Sequence, residues 1–434
     1  MGFTSNTIFD KSKFDKLLNW VKLIGFTGGA QVIVQLLGLV SGILVIRLLP
    51  PSEYAFYTLA NTMLGTMTVL ADGGISSGTM AQAGKVWQDK LKLGIVLTTG
   101  MDLRKKFAIG SLIIVTPFLI YLLIHHGASW VMSILLLASL IPAFFTALSG
   151  TILQLAPKLH QDILPLQRNN VYTNSGRLVL TTLLIFAFPW AFIAIIASGI
   201  AQIWSNLNLR KISSKYVDMG QKPDPTIRKE ILAFVKRILP GAIYFCVSGQ
   251  ITIWLLSFFG NTNSVAQVGA LGRLGMMLGV IGTLMGTLVV PRFSRLPNDK
   301  NRLIKIFFLI QLGLALLGVF ILGFTYLFPN QILWIIGKDY ANLQSELILS
   351  IAGSCLGILG GASFSLSVNR GIIVNPLVTI PVIAITIVIG AFLIDATTLL
   401  GVLKLNIIIA VIEILMYYMY FIFKVNSDFK KMSL

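Results

Sequence analysis

Apolar residues in this chain gather into about a dozen runs of roughly 20 residues, long enough at helical rise to cross a bilayer core. The pattern predicts transmembrane helices over 25–49, 55–83, 107–126, 130–156, 167–187, 190–209, 238–259, 265–290, 304–328, 343–367, 372–394 and 398–423. Twelve spans put both termini on one side. The polar residues between spans test that arrangement: with the N-terminus inside, the inner segments hold 29 of the 34 Lys and Arg. They include Lys85, Lys90, Lys92, Arg104, Lys105 and Lys106, and the eight cations of 210–237. Only Lys338 falls in an outer loop, so the positive-inside rule places both termini in the cytoplasm. The reading is an all-α, polytopic membrane protein.

Within the spans, polar residues line up. On the second, Tyr54, Tyr57, Asn61, Gly65, Thr68, Asp72 and Ser76 recur every three or four positions, on one helical face. The stripe suits a lumen, or a helix interface joined by small and polar side chains. The fifth repeats it with Asn170, Thr173, Asn174, Arg177 and Thr181. Arg177 lies about ten residues, roughly 15 Å, from the cytoplasmic end, where a charge needs water, a carboxylate such as Asp72 or Glu413, or an anionic ligand. The eighth carries Gly272, Gly275, Gly279, Gly282 and Gly286 on a stripe that admits a neighbouring helix, while Arg273 projects from nearly the opposite face, toward a lumen or the outer surface. Weaker stripes follow: Gly28, Gln31, Gln35, Gly38 and Gly42 on the first span, Ser350, Ser354, Gly357, Gly361 and Ser365 on the tenth, and Asn406, Glu413, Tyr417 and Tyr420 on the twelfth. Packing explains the first two of these as well as a cavity does. Lys404 reads as a snorkelling anchor, and the amphipathic segment 12–22 lies in the inner interface.

Composition narrows the class. A mean hydropathy of +0.84 with 12% charged residues lies outside the soluble range. The net charge of +18 then reports orientation and contact with anionic inner-leaflet lipids, not nucleic acid. Four Lys precede the first span without a small-residue cleavage site, which predicts an uncleaved anchor. Cys246 and Cys355 sit inside spans, where no disulfide is expected, and His125, His126 and His160 lack metal-ligand spacing. Pro223 and Pro225 mark 210–237 as a cytoplasmic linker between an N-terminal six-helix lobe, 1–209, and a C-terminal one, 238–434, arranged as parallel repeats. Short outer turns leave no segment for the acid–base groups of a membrane glycan polymerase or ligase, so a transporter without catalytic residues or cofactor is expected. Cations facing a mildly polar cavity suit an anionic substrate, and the guanidinium fork matches phosphate oxygens. A cation-coupled multidrug exporter is the rival reading, favoured by an acidic lumen exposing Asp72 and Glu413.

The segment from Gly25 to Ser77 carries a more specific signal. Gln31 leads to Arg47, Leu49, Pro51, Glu53, Tyr54 and Tyr57, and the second span ends at Asp72, Gly74 and Ile75. Over about 50 residues this resembles the start of the polysaccharide-biosynthesis flippases, such as the O-antigen flippases, of the multidrug/oligosaccharidyl-lipid/polysaccharide (MOP) exporter superfamily; Ala55 stands where that family usually has Gly. The resemblance implies two six-helix lobes in a V that opens alternately to each side. It implies movement of an undecaprenyl-diphosphate-linked oligosaccharide, an O-antigen or related repeat unit, from the cytoplasmic to the periplasmic leaflet of a bacterial inner membrane. Arg177 and Arg273 would hold the diphosphate. Tyr54, Tyr57, Asn61, Asn170 and Asn174 would contact sugar or solvate the cavity, and Asp72 and Glu413 are the candidates for proton or Na⁺ coupling. Arg47 would brace the outer turn against Glu53. Membrane lipids, a glycan polymerase and a chain-length regulator are the expected partners.

Overall fold

The computed structural model describes residues 11–432 except 295, 298, 369, 371 and 373. Side chains are described from Gly29 to Ser427, apart from residues 237, 238, 242, 245–249, 287, 288, 291, 294, 295, 298, 369, 371, 373 and 376. The amphipathic face of 12–22, Gly28 and Cys246 lie outside the described side chains.

The described residues form helices and connections, with no strand among them. The first half contains α1 (Lys11–Leu48), α2 (Pro51–Asp72), α3 (Ile75–Ala83), α4 (Lys90–His125), α5 (Trp130–Leu153), α6 (Leu155–Leu159), α7 (Ile163–Ala187) and α8 (Ala191–Ser213). The second contains α9 (Pro225–Gly249), α10 (Ile251–Phe259), α11 (Thr262–Met277), α12 (Gly279–Leu284), α13 (Val290–Ser294), α14 (Lys300–Leu327), α15 (Pro329–Ile336), α16 (Gln344–Val368), α17 (Pro376–Leu393) and α18 (Leu399–Met432). Joining short pieces to their neighbours (α3 to α2, α6 to α5, α10 to α9, α12 and α13 to α11, and α15 to α14) groups the described α-helices into twelve segments, the number expected from the hydropathy pattern.

Local chemistry sets the ends. Pro51 occupies the first turn of α2, where its missing N–H costs nothing, and Gly73 ends that helix at a φ of 47°. Asp89 caps α4 by accepting from the Leu91 and Lys92 amides at 3.0 and 3.1 Å; Ser129, Asp299 and Asn375 do the same for α5, α14 and α17.

Among the described residues, eight helices are long and apolar enough to cross a membrane, by length and composition. The elements that miss that threshold include α2 and α7, whose polar stripes lower their hydropathy. Large apolar side chains such as Phe320 and Phe392 stand exposed along α14 and α17, as hydrocarbon contact requires.

The third crossing begins inward of the expected 107–126: α4 takes in Lys90, Lys92 and Arg104–Lys106, because the cap at Asp89 starts a helix that apolar-run counting does not see. The polar stretch 210–237 is likewise helical at both ends, leaving 214–224 as the connection between α8 and α9.

Within the first half, α5 and α7 pack on α8, α1 on α7, and α2 on α4 and α5. In the second, α16 lies among α11, α14 and α18, with α17 on α18. The halves touch at two levels. At the end opposite the basic segments, called the far end, α11 lies against α1 and α2, and α15 against α1. Gly269 lets α11 approach Thr58 of α2 so closely that an added Cβ would sit 2.5 Å from its hydroxyl. At the basic end α9 packs on α2, α3 and α4, with Arg228 bonded to Asp102 at 2.6 Å.

Candidate functional site

The polar stripe of α2 begins at the far-end seam. Tyr54 and Tyr57, one turn apart, are almost fully buried, with rings stacked at 6.0 Å. One turn further, the Asn61 side chain donates to the Tyr57 carbonyl at 2.9 Å, satisfying its amide within the helix. Below Asn61 the stripe opens: Gly65 is exposed, with no atom within 4 Å of where its Cβ would be.

Two arginines reach this stripe from opposite halves. Arg273 leaves α11 beside Gly42 of α1, whose missing side chain makes room; an added Cβ there would lie 3.2 Å from the Arg273 Cδ. Its guanidinium lies in the neighbourhood of the Tyr54 and Tyr57 side chains. Arg177 comes from α7 and lies in the neighbourhood of Tyr57. Neither arginine pairs with a carboxylate among the described residues, and the Arg177 Nε is buried with no hydrogen-bond partner. Asn170 and Asn174 continue the α7 stripe toward the basic end, half-buried, with the Asn174 side chain donating to the Asn170 carbonyl at 2.8 Å. The structure thus brings Tyr54, Tyr57, Asn61, Arg177 and Arg273 together.

Other candidates sit apart. Asp72 is bonded to Arg104, which also donates to the Leu148 carbonyl and the Thr151 hydroxyl, and Ser76 donates to the same Asp72 oxygen at 2.7 Å. Glu413 is half-buried on α18, remote in the chain from the tyrosines and one helical turn from Tyr417. Gln31 is half-buried on α1, and Gln35 donates to Thr283 of the α12 segment at 3.4 Å, a second link between halves.

Two expectations are revised. Arg47 does not brace Glu53: it donates to the carbonyls of Trp334 and Ile335 and lies over the Trp334 ring at 4.9 Å. The last carbonyls of α15 have no helical partner, so they draw the nearest cation, while Glu53 accepts from the Ala191 amide at the start of α8, at 2.7 Å. The glycine stripe is not a helix contact along its length. Gly272, Gly279, Gly282 and Gly286 have nothing within 4 Å and line a cavity of about 610 Å³ facing Gly357, Gly361 and Ser365 of α16; only Gly275 comes close to a neighbour, Ser354. Met276, which the Arg273 guanidinium touches at 3.8 Å, also lines this cavity.

Sequence reasoning placed Gly42 on a stripe but missed its contact with Arg273, a partner 231 positions away, and it assigned Arg104 to a loop. It also missed Tyr340, buried behind Tyr54 from a turn of the α15–α16 connection.

No protein-family model matches the sequence. No curated protein matches it either. Among solved structures, the chain is similar to the lipid II flippase MurJ in an inward closed conformation, at TM-score 0.71 and 15% identity, covering 91% of this chain and 87% of that one. It is also similar to an inward-facing multidrug resistance MATE family transporter of the MOP superfamily, at TM-score 0.67 and 16% identity, covering 91% and 96%. An outward-facing structure of such a transporter aligns at TM-score 0.56 and 16% identity, covering 94% and 96%. The chain therefore shares the fold of these proteins, a lipid II flippase and multidrug transporters. The chain is a multi-pass membrane protein of that architecture.

Proposed function

We propose that the protein flips a polyprenyl-diphosphate-linked oligosaccharide, an O-antigen or related repeat unit, across a bacterial inner membrane by alternating access. The observation that carries this reading is that Arg177 and Arg273, from α7 and α11, both lie near Tyr57 and pair with no carboxylate among the described residues. Two fixed guanidinium forks suit a diphosphate. A cationic drug would be repelled. The likeness to a lipid II flippase supports a lipid-linked cargo.

In this account residues 1–209 and 238–434 are the two lobes, 210–237 is the linker, and the basic end is cytoplasmic. The head group enters from that end, where Gly65 and the glycine-lined cavity leave space, while Asn61, Asn170 and Asn174 face the sugars. The far-end seam of α1, α2 and α11 is the closed periplasmic gate. Membrane lipids surround the chain, and a glycan polymerase and chain-length regulator receive its product. Glu413 is the remaining candidate for proton or Na⁺ coupling, because the Arg104 bond occupies Asp72. That same bond weakens the multidrug-exporter reading, which needs an acidic lumen.

The test is export of the glycan in cells carrying Arg177→Ala or Arg273→Ala at wild-type protein level. Each change is expected to lower export at least about tenfold, the loss of one charge-assisted contact. Undiminished export by both variants contradicts the proposal.

A further inference from the structure

We infer that the groove between α7 and α8 is a binding site for an anionic phospholipid, with one acyl chain lying in the groove and the phosphate held at its mouth by Arg168 and Lys211. This is a built site, distinct from the general attraction of a basic end for acidic lipids, and it is independent of the cargo in the lumen.

The groove arises from small residues set between large ones. Tyr172 and Leu180 of α7 and Ile200 and Trp204 of α8 flank it, Gly176 and Ala201 add no bulk between them, and the space measures about 530 Å³. A Cβ at Gly176 would meet no atom within 4 Å. From Tyr172 to Leu180 is about 12 Å at helical rise, room for the upper part of one hydrocarbon chain. No lining residue is charged. The groove opens toward the bilayer: Tyr172 shares its helical face with Val179, Leu183 and Phe186, all exposed, on the side of α7 away from Arg177.

At the basic end the chemistry changes. Asn208 donates to the Asn169 side-chain oxygen at 2.8 Å, and Asn169 donates to the Ser205 hydroxyl at 2.8 Å, a polar bridge between the two helices just beyond Tyr172 and Trp204. Arg168 stands one turn before Tyr172 on the same face of α7, and Lys211 two turns after Trp204 on the same face of α8. Both are exposed, and neither pairs with a carboxylate among the described residues. Helical side chains lean toward the start of their helix, so Tyr172 leans toward Arg168, and Lys211 leans back toward the asparagine bridge. An apolar trough that ends in two free cations, with a tyrosine and a tryptophan beside it, complements a molecule with hydrocarbon at one end and phosphate at the other. A second copy of the chain fits less well, because a symmetric contact through this face would set Arg168 and Lys211 against their own counterparts.

The experiment titrates the full chain in detergent with dioleoylphosphatidylglycerol or dioleoylphosphatidylcholine and reads bound lipid by native mass spectrometry. Wild type is expected to hold the anionic lipid at least about fivefold more tightly, and Arg168→Gln and Lys211→Gln each to lower that affinity about fivefold. Lys105→Gln with Lys236→Gln, exposed cations away from the groove, is expected to change nothing. Gly176→Leu, which fills the groove, is expected to weaken both lipids about tenfold. The two Gln variants lie at exposed positions, so the test stands even where Gly176→Leu disturbs folding. An equal loss in the remote pair means diffuse attraction only, and unchanged affinity in a folded Gly176→Leu means that no chain lies in the groove. A dimer peak abolished by Gly176→Leu gives the groove to a second copy, and displacement of phosphatidylglycerol by equimolar farnesyl phosphate gives it to a prenyl chain. Any of these four results overturns the proposal.

Discussion

The Arg104 guanidinium, only 4% exposed, reaches Asp72, the Leu148 carbonyl and the Thr151 hydroxyl, tying α4 to α2 and α5. A buried pair of this kind is costly to break from one side, because the surviving charge is left without compensation. Asp72→Asn is therefore expected to destabilise the fold by about 3 kcal/mol and to lower the melting temperature in detergent. Wild-type melting of that variant would show that Asp72 is available for other work, such as ion coupling. Which candidate residues share a helical face was legible where the helical period exposed it. Arg177, Arg273, Tyr54, Tyr57 and Asn61 emerged from the stripes alone, since a cation or amide deep in an apolar run has few explanations. Pairings were not legible. Arg47 and Glu53 are near in sequence yet each serves the free end of a different helix, and Arg104 looked like a loop cation because α4 begins inward of its apolar run.

At the scale of elements, the eighth crossing is broken into α11, α12 and α13 around Leu278 and a π-helical segment at 285–289, and Gly272, Gly279, Gly282 and Gly286 face open space. Small residues on a membrane helix have two meanings, close packing or a cleared wall, and the periodicity is the same for both. Only the position of α16 decides between them. Because no atom lies within 4 Å of the Gly282 Cβ position, Gly282→Ala is expected to fold as well as wild type, or better by up to about 1 kcal/mol from helix propensity. Gly282→Trp is expected to fold yet to reduce glycan export severely, by filling the cavity. Thermal unfolding and an export assay separate the two effects; a Trp variant exporting normally would remove this cavity from the transport path.

For the whole molecule, the hydropathy pattern sufficed for an all-helical chain rich in long apolar segments, since bilayer thickness acts on every span alike. Which halves touch, and at which end, depends on side chains far apart in sequence. His126, between α4 and α5, is a case. Its Nε2 lies 2.9 Å from the Ser257 carbonyl on α10, and its Nδ1 3.3 Å from the Thr262 hydroxyl at the start of α11, so it latches the halves at the far end. Burial holds this imidazole below its ordinary 6.5, the neighbouring His125 adds to that, and the Ser257 carbonyl opposes it. A lowered pKa in the closed state means that the latch is complete above the ordinary imidazole value and is lost as pH falls through the lower one. Spin labels across the far end should therefore separate on acidification, and His126→Gln should abolish the response; a pH-independent distance would exclude the latch. The central claim is that opposed arginines hold a diphosphate inside the membrane. Its most direct measurement is the affinity of nanodisc-embedded protein for a polyprenyl diphosphate against the matching monophosphate. The account predicts a preference for the diphosphate of at least about tenfold that Arg177→Ala and Arg273→Ala each erase. Equal affinity for both lipids, or a preference that survives both substitutions, would contradict it.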